Sequence, residues 1–203
     1  MIHFVDVTSE PAMLRDATLS LPANRRCALL GGGAGARMAV LRLLSGRERP
    51  ARGAVLTDKK FSIIGNAGSY FHPGLTGLEN ITLCARCFGI DAAALTRLVL
   101  GFDAIDADWT ALASRLPGKR RRSMEMLLAA LLPYDCYLLD DIEHAPSECL
   151  EALMQILGAR RAGLIFAAQN AKFARHFADC ASVIQGTTMQ MFEEFDGAVA
   201  FHG

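Results

Sequence analysis

Ile2, His3, Phe4, Val5, Asp6 and Val7 follow a period of two and predict a half-buried strand. Residues 19–21 predict a second strand, ended by the turn Pro22-Ala23-Asn24. Cys27-Ala28-Leu29-Leu30 is a short unbroken apolar run, the pattern of a strand buried on both faces. It enters the glycine cluster Gly31-Gly32-Gly33-Ala34-Gly35, and a helical stretch follows at 38–44. A turn-rich piece at 49–53 separates this from short strands near 54–56 and 61–64. Glycines at 65, 68, 74 and 77, with Pro73, predict a long loop.

Helix is expected from 79 to about 115, and again from just after Pro117-Gly118 to 132. Two more buried strands, 136–139 and 164–168, flank an amphipathic helix at 147–157. A last strand around Val183-Ile184 leads into a short tail. Buried strands alternating with helices predict a mostly parallel α/β sheet.

The chain has 203 residues, enough for one domain with a real core, and we expect a single domain over 1–203. Apolar residues make up 52% and charged ones 21%, with a formal net charge of +0, so no overall field draws it toward nucleic acid or an anionic membrane. The lysines are Lys59, Lys60, Lys119 and Lys172, which leaves none for the glycine loop. No apolar run approaches the ~20 residues that cross a bilayer. The start of the chain, without a basic segment or a long apolar block, predicts no signal peptide. The six cysteines sit mostly in apolar segments and read as reduced core thiols. Cys84 and Cys87 lack the second pair that a zinc site needs, so core packing is expected there too.

The stretch Gly31 to Met38 has the length and place of the phosphate loop G-x-x-x-x-G-K-[ST], whose backbone N–H groups wrap phosphates. Ala36 replaces the second glycine, Arg37 the lysine and Met38 the hydroxyl. Taken alone, a tight turn without ligand, or a flavin or dinucleotide loop, would fit as well.

A second segment is more specific. Gly68-Ser69-Tyr70-Phe71-His72-Pro73-Gly74-Leu75-Thr76-Gly77-Leu78-Glu79-Asn80-Ile81 closely resembles the G-x-G-F-x-P-x-L-T-G-x-E-N-I stretch of the ATP-binding-cassette ATPases that export capsule, O-antigen and teichoic-acid chains. Tyr70 departs from it, since the family more often has glycine there. The resemblance implies a P-loop NTPase fold of the cassette type: a mostly parallel sheet core, a small antiparallel β part and a helical subdomain, expected at 79–125. It also implies that Gly68, Phe71, His72 and Pro73 face a membrane-spanning permease.

With that family in view, Leu116-Pro117-Gly118-Lys119-Arg120 stands at the signature motif, which in the family binds the partner subunit's γ-phosphate. Cys136 to Asp141 resembles the Walker B strand and its following acid, and Gln169 stands at the switch histidine. ATP and Mg²⁺ are the implied cofactors. Gly31, Gly33, Gly35, Ala36, Arg37, Met38, Pro117, Gly118, Lys119 and Arg120 would be the nucleotide contacts, and Asp140 the Mg²⁺-associated acid. Asp141 and Gln169 would fill the catalytic and switch places.

Each departure removes a part with a physical job. Arg37 keeps the charge on a bulkier fork. Met38 offers a thioether to an ion that demands oxygen. Asp141 is a methylene shorter than the family's glutamate. Pro117 removes a hydroxyl and a backbone donor. Lys119 to Arg122 either attract phosphate or form a solvated charge run, and both readings stand. No glutamine precedes Gln155, and no aromatic stands where adenine would stack. The losses together imply a pseudo-ATPase, a degenerate cassette with hydrolysis impaired or lost. It would lie on the cytoplasmic face of the inner membrane, docked on a permease, as a homodimer or beside an active cassette. The alternative is a non-catalytic nucleotide-sensing or scaffold protein of the export machinery; a third reading is an unusual ATPase using Arg37 and Asp141.

Overall fold

The computed structural model describes residues 1–62, 70–102, 108–140 and 142–202, the last without its side chain. The chain divides into two compact units. The first comprises Met1–Ile63, Tyr134–His144 and Arg161–Gly203; the second comprises Ile64–Pro133 and Ala145–Arg160.

The first unit opens with strands β1 (Ile2–Thr8), β2 (Ala17–Leu21) and β3 (Arg26–Gly31), helix α1 (Gly33–Leu44) and strand β4 (Arg52–Leu56). β1, β2 and β4 form an antiparallel sheet in the order β2-β1-β4. Ile2, Phe4 and Val7 of β1 are buried while His3 and Val5 are exposed, as the period of two requires.

The second unit holds α2 (Gly77–Phe88), α3 (Ala92–Leu100) and α4 (Gly118–Leu131). The chain then returns to the first unit for β5 (Cys136–Leu139), and after α5 (Ser147–Arg160), which belongs to the second, it adds β6 (Gly163–Ala167), α6 (Ala171–Ala174), β7 (Cys180–Gln185), β8 (Thr188–Phe192) and α7 (Phe195–His202).

The main sheet of the first unit runs β5-β6-β3-β7-β8. Its first four strands are parallel and β8 returns antiparallel. The unbroken apolar runs explain the order: Cys27, Ala28, Leu29 and Leu30 are all fully buried, as are Leu164, Ile165 and Phe166. Strands covered on both faces belong in the middle of a parallel sheet. Val40, Leu41, Leu43 and Leu44 of α1 join this core.

In the second unit, α2 starts on a reciprocal capping box. The Glu79 amide donates to Thr76 Oγ1 at 3.2 Å, and the Thr76 amide donates to Glu79 Oε2 at 2.8 Å. These bonds from the Thr76 amide and hydroxyl hold the Glu79 carboxyl below its ordinary range. Gly89, at φ 64°, closes the α2–α3 hairpin, and the Asp91 side chain accepts from the Ala94 amide to start α3. α4 ends under the guanidinium of Arg160, which donates to the carbonyls of Leu131 and Leu132 at 2.7 Å each and of Ala130 at 3.3 Å. A cation at a helix C-terminus complements its dipole.

Two expectations are corrected. Helix does not continue to about 115: α3 ends at Leu100, and Ala113–Arg115 is a single 3-10 turn. The tail after Val183-Ile184 is instead a paired strand and a helix; the alternation Thr188-Met189-Gln190-Met191-Phe192 was there to read. Of the strand expected at 61–64, Phe61 makes a single parallel bridge to Cys136 and residues 63 and 64 lie outside the described set. The second unit also takes in α5, beyond the expected 79–125.

Among the cysteines, Cys27, Cys84, Cys136, Cys149 and Cys180 are buried, but Cys87 is exposed, which corrects the expectation of core packing for that residue. Cys27 stands opposite Cys180 across β3 and β7. A thiol–thiol hydrogen bond and burial push Cys27 well up, while burial raises Cys136 to about 12 and Cys84 to about 11. A maleimide or iodoacetamide at pH 8 is therefore expected to modify Cys87 first and the buried five only after unfolding, as intact-mass spectrometry would read. Rapid labelling of Cys27 or Cys136 in the folded chain would contradict this packing.

Candidate functional site

Parallel sheets gather chemistry at the carboxyl ends of their strands. Here Gly31 ends β3, Asp140 follows β5 and Gln169 follows β6. Leu29 pairs with Ala167 and Leu139 with Phe166, so these three ends lie side by side along one edge. The sheet thus brings together the predicted phosphate loop, the predicted metal acid and the predicted switch position. Asp141 lies outside the described residues, as does Gly68.

Gly31, Gly32 and Gly33 take φ of 72°, 61° and 69°, a left-handed run that side chains resist. At Gly31 a Cβ would stand 2.3 Å from the Ile184 carbonyl oxygen of β7, and at Gly32 one would stand 2.6 Å from the Ile184 side chain. Gly31 and Gly32 are thus required by the close passage of the loop over β7. α1 then starts at Gly33 with Gly32 as its N-cap, five residues before the expected start at Met38. Gly35, Ala36, Arg37 and Met38 are therefore helical. The expectation of an open loop spanning Gly31 to Met38 is corrected: with the turn completed by Gly31–Gly33, the chain coils as soon as it clears Ile184.

Arg37 is 6% exposed. Its side chain runs back along α1, the direction in which helical Cβ atoms tilt, and Nη1 donates to the Gly31 carbonyl at 2.8 Å. Nε is buried with no partner among the described residues. Ala36 is buried and Met38 half-buried. A MgATP phosphate tail asks for converging loop N–H groups, an outward cation and a hydroxyl. Here the cation points inward and a thioether replaces the hydroxyl, so Arg37 and Met38 do not fit that group, while the amides of residues 33–36 at the start of α1 are left without helical partners.

Sequence reading missed Glu143. One of its oxygens, Oε1, accepts from the amides of Gln169 at 2.6 Å and Asn170 at 2.9 Å, tying the turn after Asp140-Asp141 to the end of β6. The Asn170 side chain in turn accepts from the Lys172 and Phe173 amides, starting α6. Oε2 of Glu143 is buried and without a hydrogen-bond partner among the described residues. The only signal was an acid just past a strand end, which occurs too often to stand out.

In the second unit, Phe71 is 4% exposed and packs its ring 6.3 Å from that of Trp109. The sequence reading had it facing a partner; burial makes it the anchor of its loop, and His72 and Pro73 are the exposed members. Asn80 is fully buried and organises the segment. It accepts from the His72 amide at 2.6 Å and donates to the carbonyls of Thr76 at 2.9 Å, His72 at 3.2 Å and Leu75 at 3.3 Å. Gly77 is fixed by space, since a Cβ there would meet Met124 and Trp109 within 2.9 Å. Most of the T-G-x-E-N-I pattern is thereby explained as local architecture: cap, close approach, cap partner, hub and core.

Pro117 is the N-cap of α4, without a side-chain cap, and Gly118, Lys119 and Arg120 form its exposed first turn. Basic residues oppose the helix dipole there. The Glu148 carboxyl, held low first by its own backbone amide and then by Ser147, is further lowered by Lys119 and Arg120.

No family profile matches the chain. It is 22% identical to the ATP-binding protein BexA of Haemophilus influenzae over 94% of this chain and 89% of that protein. It is 20% identical, at the same coverage, to the capsule polysaccharide export ATP-binding protein CtrD of Neisseria meningitidis serogroup B. Over 40% of this chain and 36% of that protein it is 30% identical to the polysialic acid transport ATP-binding protein KpsT of Escherichia coli. Among solved structures, the ATP-binding subunit of an ABC transporter superposes with a TM-score of 0.81 at 16% identity, covering 100% of this chain and 95% of that one. A dimeric ATP-binding cassette bound to ADP and phosphate gives 0.76 at 16% identity, covering 96% and 99%. At such identities these two likenesses speak for the fold.

Proposed function

We propose that this chain, which has the fold of ATP-binding-cassette ATPase domains and resembles over nearly its whole length an ATP-binding protein and a capsule polysaccharide export ATP-binding protein, is a degenerate subunit of a bacterial capsule or polysaccharide exporter. It docks on a membrane permease and has lost most or all hydrolysis. Among the described residues no helix is long and apolar enough to cross a membrane, so attachment to the cytoplasmic face would run through that permease.

The observation that carries the reading is an asymmetry of upkeep. The segment from Phe71 to Ile81 is built to completion, with a capping box, a satisfied buried amide and a ring anchor. The phosphate loop, by contrast, has a buried cation with an unpartnered Nε. Electrostatic groups of the kind missing at the second place are worth ~2.7–4 kcal/mol each in a transition state. Their losses do not simply add, yet several together leave little catalysis.

The test is co-expression with the tagged permease of a capsule or O-antigen exporter, followed by capture in detergent and a phosphate-release assay. The subunit is expected to remain with the permease and to release no phosphate from MgATP above a blank. Turnover that a change at Asp141 abolishes would sink the pseudo-ATPase reading. Full recovery in the soluble fraction, with no permease bound, would favour a scaffold instead. Pairing with itself or with an active cassette would show in the mass of the captured complex.

A further inference from the structure

We infer that Arg37 is a built-in strut that holds the phosphate loop closed, so that the chain completes this part of its fold without nucleotide. The inference deepens the reading above and rests on it only for the descent of the loop from a nucleotide site.

Three observations meet here. Gly31 and Gly32 of the turn are pinned from below by Ile184, leaving no room for them to sink toward β7. α1 starts at Gly33, so the amides from Arg37 onward point into the helix and bond its own carbonyls. Arg37, on the second turn, lays its guanidinium against the Gly31 carbonyl, tying the last residue of β3 to the helix that follows. A carbonyl at a strand end needs a donor, and Arg37 supplies it from within.

A lysine or arginine that neutralises a phosphate must reach it with its charged end. Arg37, at 6% exposure, presents almost nothing. Recruiting it to a ligand would break the Gly31 contact and take the guanidinium out of its buried place. The buried, unpartnered Nε marks the cost of this arrangement.

Differential scanning fluorimetry of the full chain tests this, with MgATP, MgADP and inorganic phosphate as probes. A ligand that binds the folded state alone raises Tm in proportion to the logarithm of its concentration over Kd. The wild-type Tm is expected not to move with any of the three. Arg37→Ala is expected to lower Tm by about 5 °C. Arg37→Met, which keeps most of the stem and removes the donor, is expected to lower it by a smaller amount, about 2 °C. If Arg37→Ala does not fold, Arg37→Met decides.

A concentration-dependent rise of the wild-type Tm with MgATP that Arg37→Met abolishes would overturn the strut and make Arg37 a ligand cation. So would a Tm for Arg37→Met equal to or above that of wild type. Capture on a permease is independent of these readouts: its failure beside an unmoved Tm would remove the docking reading and leave the strut standing.

Discussion

Gly31→Ala is expected to destabilise the chain by about 3 kcal/mol or more, enough to lower soluble yield sharply, whereas Gly33→Ala is expected to cost only about 1 kcal/mol. Both residues have positive φ, 72° and 69°, so both substitutions carry the left-handed penalty. They differ in what the new methyl meets. At Gly31 it stands 2.3 Å from the Ile184 carbonyl oxygen, a backbone atom of a buried strand paired on both sides. At Gly33 nothing lies within 4 Å. Relief at Gly31 would require β3 to part from β7 in the middle of the sheet. Urea unfolding of the two variants checks this. Equal losses would mean that the close passage over β7 is not what selects glycine, and would return weight to a ligand-driven explanation of the loop.

That comparison also shows why the sequence was readable in some places and misleading in others. The buried strands declared themselves: Cys27 to Leu30, Cys136 to Leu139 and 164–168 are unbroken apolar runs, and each is a strand of the main sheet. The glycine cluster was equally visible, but its cause was not. Glycines that cradle a phosphate and glycines that let a loop pass a neighbouring strand are written with the same letter. Only the Ile184 contact separates them.

The start of α1 was misread for the same reason, since three glycines argue against helix by propensity, while the geometry past Gly33 permits it. The resemblance implies that Phe71 faces a partner, and only its burial against Trp109 shows that it anchors its loop. Glu143 was invisible because its two partners are backbone amides twenty-six and twenty-seven positions away, which no side-chain pattern reports.

Asn80 is where the docking proposal and the fold can be tested with one atom exchanged. Asn80→Asp keeps shape and volume and replaces the NH₂ with oxygen. The His72 amide would still have its acceptor. The carbonyls of Thr76, His72 and Leu75, now 2.9 to 3.3 Å from a donor, would face a lone pair in a fully buried place. Losing donors to buried carbonyls costs about 1–3 kcal/mol each at most sites, and burying the charge adds to it. We expect a total of about 4 kcal/mol at neutral pH, more than for Asn80→Ala, which removes the bonds without adding repulsion.

The loss should depend on pH with a definite sign. Burial and the surrounding carbonyls raise the new carboxyl's folded pKa above its unfolded value. The folded state therefore holds the proton longer, and stability falls as pH rises through that interval. The variant should recover part of its deficit on mild acidification, where wild type gains nothing from this position, as urea midpoints across the acid range would read. If the variant folds but its loop is released, His72 and Pro73 lose their fixed presentation, and capture on the permease should fall with it. A variant that matches wild type in stability and in capture would show that this loop is neither held by Asn80 nor needed for docking.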